Sequence, residues 1–130
     1  MEIFKNTKVS VILYYSKNLP YGLDGFERIL KTIKEQTIPP EEIIVIDLDE
    51  RDGTNLNNED LRIIRGFNLE AEALSEAIEG SSGDYIIYID NKKYEVLLKR
   101  SFIETALMAN IRNDNLGMLY TDYEMDTGKS

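Results

Sequence analysis

An α/β fold of three layers, with helices on both faces of a mainly parallel sheet, is what this sequence predicts, and three observations point to it. Short runs of β-branched and aromatic residues, apolar throughout instead of alternating, recur along the chain, as in strands covered on both faces. Between them lie longer segments whose apolar residues keep the i, i+3, i+4, i+7 spacing of an amphipathic helix. The segments succeed one another as strand, helix, strand, strand, helix, strand, helix, strand, an order that a parallel sheet with crossover helices accounts for.

Residues 8–15 (KVSVILYY) are the first strand, followed by turn residues Pro20, Gly22 and Gly25. Phe26, Ile29, Leu30 and Ile33 then share one helical face; Asp24 stands as N-cap with Glu27 three residues on, and Pro39 and Pro40 close the helix. Residues 43–47 (IIVID) make the second strand. A polar loop over residues 48–60 carries turn signals at Asp52-Gly53 and Asn57-Asn58, and residues 61–65 (LRIIR) form a short third strand. In the second helix Leu69, Ala73, Leu74, Ala77 and Ile78 form one face, while Glu70, Glu72, Glu76 and Glu79 fall largely outside it, an acidic face that reads as solvent-facing or as a contact for a basic partner; Asn68 is its N-cap and Gly80 its terminator. Residues 84–90 (DYIIYID) are the fourth strand. Residues 95–110 are a third helix with Leu98, Phe102, Ala106 and Ala109 along one side, and residues 117–123 (GMLYTDY) a last strand before a turn at Asp126-Thr127-Gly128.

Right-handed crossovers make the first three strands run outward on one side, and the fourth returns to lie beside the first. Ligands of open α/β sheets bind outside the carboxyl ends of the strands at such a reversal, here the ends at Tyr15, Asp47 and Asp90. The loop after the first strand has neither a dinucleotide fingerprint nor a P-loop. Receiver-type phosphoacceptor domains need acidic residues at the end of the first strand, where this chain has Tyr14 and Tyr15.

At 130 residues the chain is expected to be one domain over residues 1–130 with one compact core, and 42% hydrophobic with 30% charged residues is an ordinary globular composition. No apolar run reaches the roughly 18 residues of a membrane span. The first residues, MEIFKN, lack the basic start and apolar stretch of a signal peptide, so the expected setting is cytoplasmic. With no Cys and no His, disulfides are excluded and zinc is disfavoured; carboxylates are the anionic ligands left, and they suit Mg²⁺ or Mn²⁺. A formal charge of −9 argues against nucleic acid as a partner, because phosphate-backbone binding needs a basic face. A free nucleotide needs only a few local groups.

Five strings in order resemble the family 2 glycosyltransferases of the GT-A fold: VSVIL at 9–13, FERILKTIKEQT at 26–37, EIIVIDLDERDGT at 42–54, SGDYIIYID at 82–90 and LYTDYE at 119–124. The resemblance implies the Rossmann-like, nucleotide-binding half of a GT-A domain, the N-terminal part of a longer glycosyltransferase domain. It further implies a nucleotide-sugar donor held by Asp47 and by a metal on an Asp-x-Asp motif that begins at Asp90, and transfer to an acceptor the sequence does not identify. The family's acceptor site and catalytic base fall in the part of that domain beyond residue 130, so no catalytic residue is assigned and the fragment alone is expected to be inactive.

The chain departs from the family pattern at several positions. Leu48 replaces the second of two adjacent aspartates, Leu74-Ser75 stands where an Arg-Asn pair is usual, and the motif at Asp90 continues as Asn91-Lys92. A single carboxylate beside Lys92 and Lys93 predicts weak or absent binding of Mn²⁺ or Mg²⁺. Two readings of the lysines stand side by side: surface groups in solvent, or an ammonium that pairs with the donor's diphosphate in place of the metal. Asp47 reads equally as a contact to base or ribose and as a turn residue satisfying backbone donors; Asp90 as a metal ligand and as a loop cap. Asp49 is a weaker substitute for the lost aspartate, Tyr14 and Tyr15 are core residues or a stacking surface, Tyr85 and Tyr88 pack against helices, and Asp122 matches the pattern without an assigned role. The altered positions also support a second function, a degenerate GT-A-like domain that serves as a binding or assembly module.

Overall fold

The computed structural model describes residues 6–49, 60–113 and 118–120. Five strands and three helices alternate as β1 (Val9–Tyr15), α1 (Gly22–Lys34), β2 (Glu42–Asp47), β3 (Leu61–Ile64), α2 (Glu70–Glu79), β4 (Tyr85–Tyr88), α3 (Phe102–Asn113) and β5 (Met118–Tyr120). The sheet order is β3-β2-β1-β4-β5 and every pairing is parallel. The fourth strand therefore does return beside the first, as the crossover argument requires. The turn signals at 52–53 and 57–58, Asp122 and the turn at 126–128 lie outside the described residues.

The period-two geometry of a strand explains the layers. Val11, Leu13 and Tyr15 of β1 turn to one face, where Phe26, Ile29 and Ile33 of α1 and Ile103 and Leu107 of α3 cover them. Ile12 and Tyr14 turn to the other, joining Ile44 and Ile46 of β2 under Ala73 and Ala77 of α2. All seven residues of β1 are buried, which is why its sequence reads as a continuous apolar run. Each fully buried Ile, Leu or Phe contributes roughly 2 kcal/mol of transfer free energy, so these two faces rather than helix propensity hold the layers together. Tyr85 packs into the first face and Tyr88 into the second, as their positions in the fourth strand predict. Among the described residues no helix is long and apolar enough to cross a membrane.

Four helix boundaries differ from the sequence pattern. Helix α1 begins at Gly22, whose φ of 70° lets the chain pass from a turn directly into the helix; Tyr21 takes the N-cap position without a side-chain bond, and Asp24 lies in the first turn, where it complements the helix dipole. The helix stops at Lys34, ahead of the prolines, with Glu35 at its C-cap and the Gln36 side chain donating to the Thr32 carbonyl. Helix α2 has Leu69, not Asn68, at its N-cap, with the Glu72 carboxylate accepting the Leu69 N–H at 3.3 Å; Gly80 does end it.

The largest difference is α3, which starts at Phe102 instead of 95. Residues 95–101 run as a loop whose polar groups are satisfied by the end of α1 and the turn after it. Leu98 N–H donates to Thr32 Oγ1 at 3.2 Å, Gln36 Nε2 donates to the Lys99 carbonyl at 2.7 Å, and Thr37 N–H donates to the Arg100 carbonyl at 2.8 Å. Val96 and Leu98 are buried from this loop, and the helix buries Ile103 and Leu107 rather than the predicted stripe of Phe102, Ala106 and Ala109.

Candidate functional site

Parallel pairing sets Tyr15 beside Asp47, so the carboxyl ends of β1 and β2 finish level. Asp47 is 1% exposed, and a carboxylate that deep needs partners. Its Oδ1 accepts the Asp49 N–H at 2.9 Å and its Oδ2 accepts Arg65 Nε at 3.2 Å, Arg65 being the residue that follows β3. Asp49 is committed to the neighbouring loop, accepting Ser16 Oγ at 2.8 Å and the Lys17 N–H at 2.7 Å. At Gly66 the backbone takes φ 73°, a left-handed turn that folds the following residues toward the strand ends. The result is a cleft of about 310 Å³ lined by Asp47, Leu48, Gly66, Phe67, Asn68 and Glu70. Glu70 is the first residue of α2, so the positive end of that helix's dipole is at the cleft.

On the other side of β1, strand β4 ends at Tyr88, and the Ile89 N–H still donates to the Ile12 carbonyl at 2.8 Å. Asn91 then does with a side chain what a strand does with its backbone. Fully buried, its Oδ1 accepts the Tyr14 N–H at 2.8 Å and its Nδ2 donates to the Tyr14 carbonyl at 2.8 Å. Nδ2 also donates to Tyr21 Oη at 2.9 Å, and that hydroxyl donates in turn to the Asn91 carbonyl. Burial pushes the Tyr21 phenol up to about 12, partly offset by the Asn91 hydrogen bond, so it stays protonated as a donor.

With Asn91 clamped inward, its neighbours point outward. Asp90 is exposed and its Oδ1 accepts the Lys92 N–H at 3.2 Å. Lys92 is anchored: its Nζ pairs with the Glu70 carboxylate and lies 4.8 Å from the centre of the Tyr14 ring. Burial draws the Lys92 ammonium down, but the Glu70 hydrogen bond and the charges of Asp90 and Glu70 outweigh it and raise its pKa. Tyr14 and Tyr88 share a hydroxyl–hydroxyl bond of 2.7 Å with their rings edge to face, and burial, then that bond, pushes the Tyr14 phenol far above its ordinary value.

Asp47 and Asp90 thus stand at the carboxyl ends of the two strands that flank β1. Only Asp47 lines the cleft; Asp90 adjoins it through Lys92 and Glu70. Lys92 is not a free surface lysine, whereas Lys93 is exposed, and Glu70 is not simply solvent-facing. Tyr15 is core, packed edge-on against Phe26 at 4.9 Å. Sequence reasoning missed Arg65, Phe67, Glu70 and Asn91. Gly66 after LRIIR was the one local signal of the turn that assembles the cleft. Comparison of the sequence with models of known protein families and with curated proteins finds no match.

Proposed function

We propose that this chain is the donor-binding half of a glycosyltransferase-like domain, holding a nucleotide-diphosphate sugar at the carboxyl ends of β1, β2 and β4 for transfer to an acceptor hydroxyl. The observation that carries the reading is the cleft at the winding reversal, with a buried carboxylate, Asp47, on its floor. Phe67 supplies an apolar wall on which a base can lie and Asn68 an amide for its polar edge, while Asp47, its side chain closed to solvent, backs the cleft by fixing Arg65 and the Asp49 N–H. The resemblance of the sequence blocks to family 2 glycosyltransferases supports the same ligand class, and a cytoplasmic setting belongs to the same proposal.

Titration calorimetry with UDP and GDP tests it. One of the two is expected to bind, and Asp47→Ala to weaken that binding by about tenfold or more, since the charge-assisted hydrogen bonds with which Asp47 fixes Arg65 and the Asp49 N–H behind the cleft are worth roughly 1.5–3 kcal/mol each. Thermal denaturation of the variant separates lost contact from lost fold. A second reading, a non-catalytic module for binding or assembly, is favoured by Leu48, which lines the cleft where the family pattern has a carboxylate. Absence of heat with every nucleotide at millimolar concentration would select that second reading.

A further inference from the structure

Resting on the donor-site reading, we infer that the diphosphate of the ligand is held without a divalent metal, by the Lys92 ammonium at the Glu70 rim of the cleft. The acidic groups at this end of the sheet do not suit a metal. Asp47 is bonded to Arg65, Glu70 to Lys92, and Asp90 receives the Lys92 amide, so an ion would have to displace a bound cation and then sit against the Lys92 charge. Among the described residues no three carboxylates converge.

The same arrangement suits an anion. An ammonium has three donor directions. In Lys92 one is spent on Glu70, and the ammonium itself lies over the Tyr14 ring, so the head is fixed at the rim instead of sweeping through solvent. The cost of ordering a long side chain on binding is thereby largely met in advance. The amino end of α2, whose first turn carries Glu70 and Glu72, meets the same cleft from Asn68 and Glu70, and its helix dipole adds to the Lys92 charge there. Glu70 is then a competitor for the ammonium as well as its anchor. Asn91 completes the device: because its side chain is locked to both polar groups of Tyr14, residues 90–92 hold one backbone path, with Lys92 directed at α2.

The test is calorimetric titration of the full chain with UDP, GDP and inorganic diphosphate, each in excess EDTA and in excess Mn²⁺. The nucleotide that binds is expected to do so with the same Kd in both buffers. Lys92→Gln should weaken it about tenfold and Lys92→Glu more, without rescue by Mn²⁺. Glu70→Gln, which keeps the shape and removes the competing charge, should tighten it several-fold; a merely structural ion pair would not give that gain. Inorganic diphosphate is expected to bind in EDTA with the same order among the variants if the ammonium reads the phosphates alone; a diphosphate that binds all variants equally overturns the assignment. Binding that requires Mn²⁺ leaves the donor site standing and overturns the metal-free inference, as does nucleotide affinity unchanged in Lys92→Glu. Failure of both nucleotides in both buffers overturns the donor reading itself. Thermal denaturation confirms that each variant is folded, and Glu70→Gln keeps the inference exposed to refutation should Lys92→Glu not fold.

Discussion

Asn91 is the residue whose side chain matters most to the backbone around the cleft. It is buried and answers both polar groups of Tyr14, which no sheet neighbour reaches at that level. Truncation would leave a buried N–H and a buried carbonyl without partners, each costing about 1–3 kcal/mol. Asn91→Ala is therefore expected to destabilise the chain by roughly 3 kcal/mol in urea denaturation. Tyr21→Phe removes the second partner of the same amide and should cost about 1 kcal/mol, with the two substitutions non-additive because they share one network. Additive effects would show that the tyrosine packs without taking part in the clamp.

At the scale of elements, Gln36 joins what the chain separates. Its Nε2 donates to the Thr32 carbonyl at 3.0 Å and the Lys99 carbonyl at 2.7 Å, and its Oε1 accepts the Ile103 N–H at 2.8 Å. One buried amide thus serves the last turn of α1, the loop before α3 and the first turn of α3, where it accepts the Ile103 N–H beside a Phe102 N–H that donates to the Lys99 carbonyl. Gln36→Leu, close in volume, is expected to lower stability by about 2–4 kcal/mol and to raise amide exchange at Ile103, measured by denaturation and hydrogen exchange. The same residue explains why α3 was misplaced by sequence. Leu98, Phe102, Ala106 and Ala109 do keep helical spacing, but Val96 and Leu98 are buried from an extended loop whose bonds go to Thr32, Gln36 and Thr37. Nothing in residues 95–101 alone reveals partners more than sixty positions away. The strands were more legible, because IIVID and KVSVILYY can be buried on both faces only inside a covered parallel sheet. For the cleft, Asp47 at a strand end could be read from sequence, whereas Phe67 and Glu70 reach it only through the turn at Gly66, and Arg65 only through the pairing of β3 beside β2.

Over the whole molecule, the two ends of the sheet are built differently. At the amino end Glu42 Oε2 accepts Ser10 Oγ at 2.7 Å, Ser82 Oγ at 2.9 Å and the Ser82 N–H, with Arg62 close by at 3.9 Å. The Gly83 N–H donates to Ser10 Oγ, and a Cβ on Gly83 would meet the Ser10 backbone nitrogen at 2.6 Å, so Gly83→Ala is expected to push β1 and the 82–84 turn apart and lower the melting temperature. Burial alone would push the Glu42 carboxyl up, but the hydrogen bonds from Ser82 and Ser10 and the Arg62 charge overcome it and hold it below its ordinary 4.5. A depressed carboxyl contributes stability above its unfolded value and loses it as pH falls through the folded value. Urea midpoints of the native chain should accordingly fall as the pH drops below about 4.5, and Glu42→Gln should start lower at neutral pH and change less across that window.

Lacing at one end and an open cleft at the other also divide the labour of the fold. The bonds around Glu42 fasten β1, β2 and the approach to β4 at the edge remote from Asp47 and Lys92, so the rim can exchange its outward side chains while the frame beneath keeps its registration. A rim rewritten for another ligand would inherit that frame, which makes this chain a ready chassis for installing new recognition chemistry.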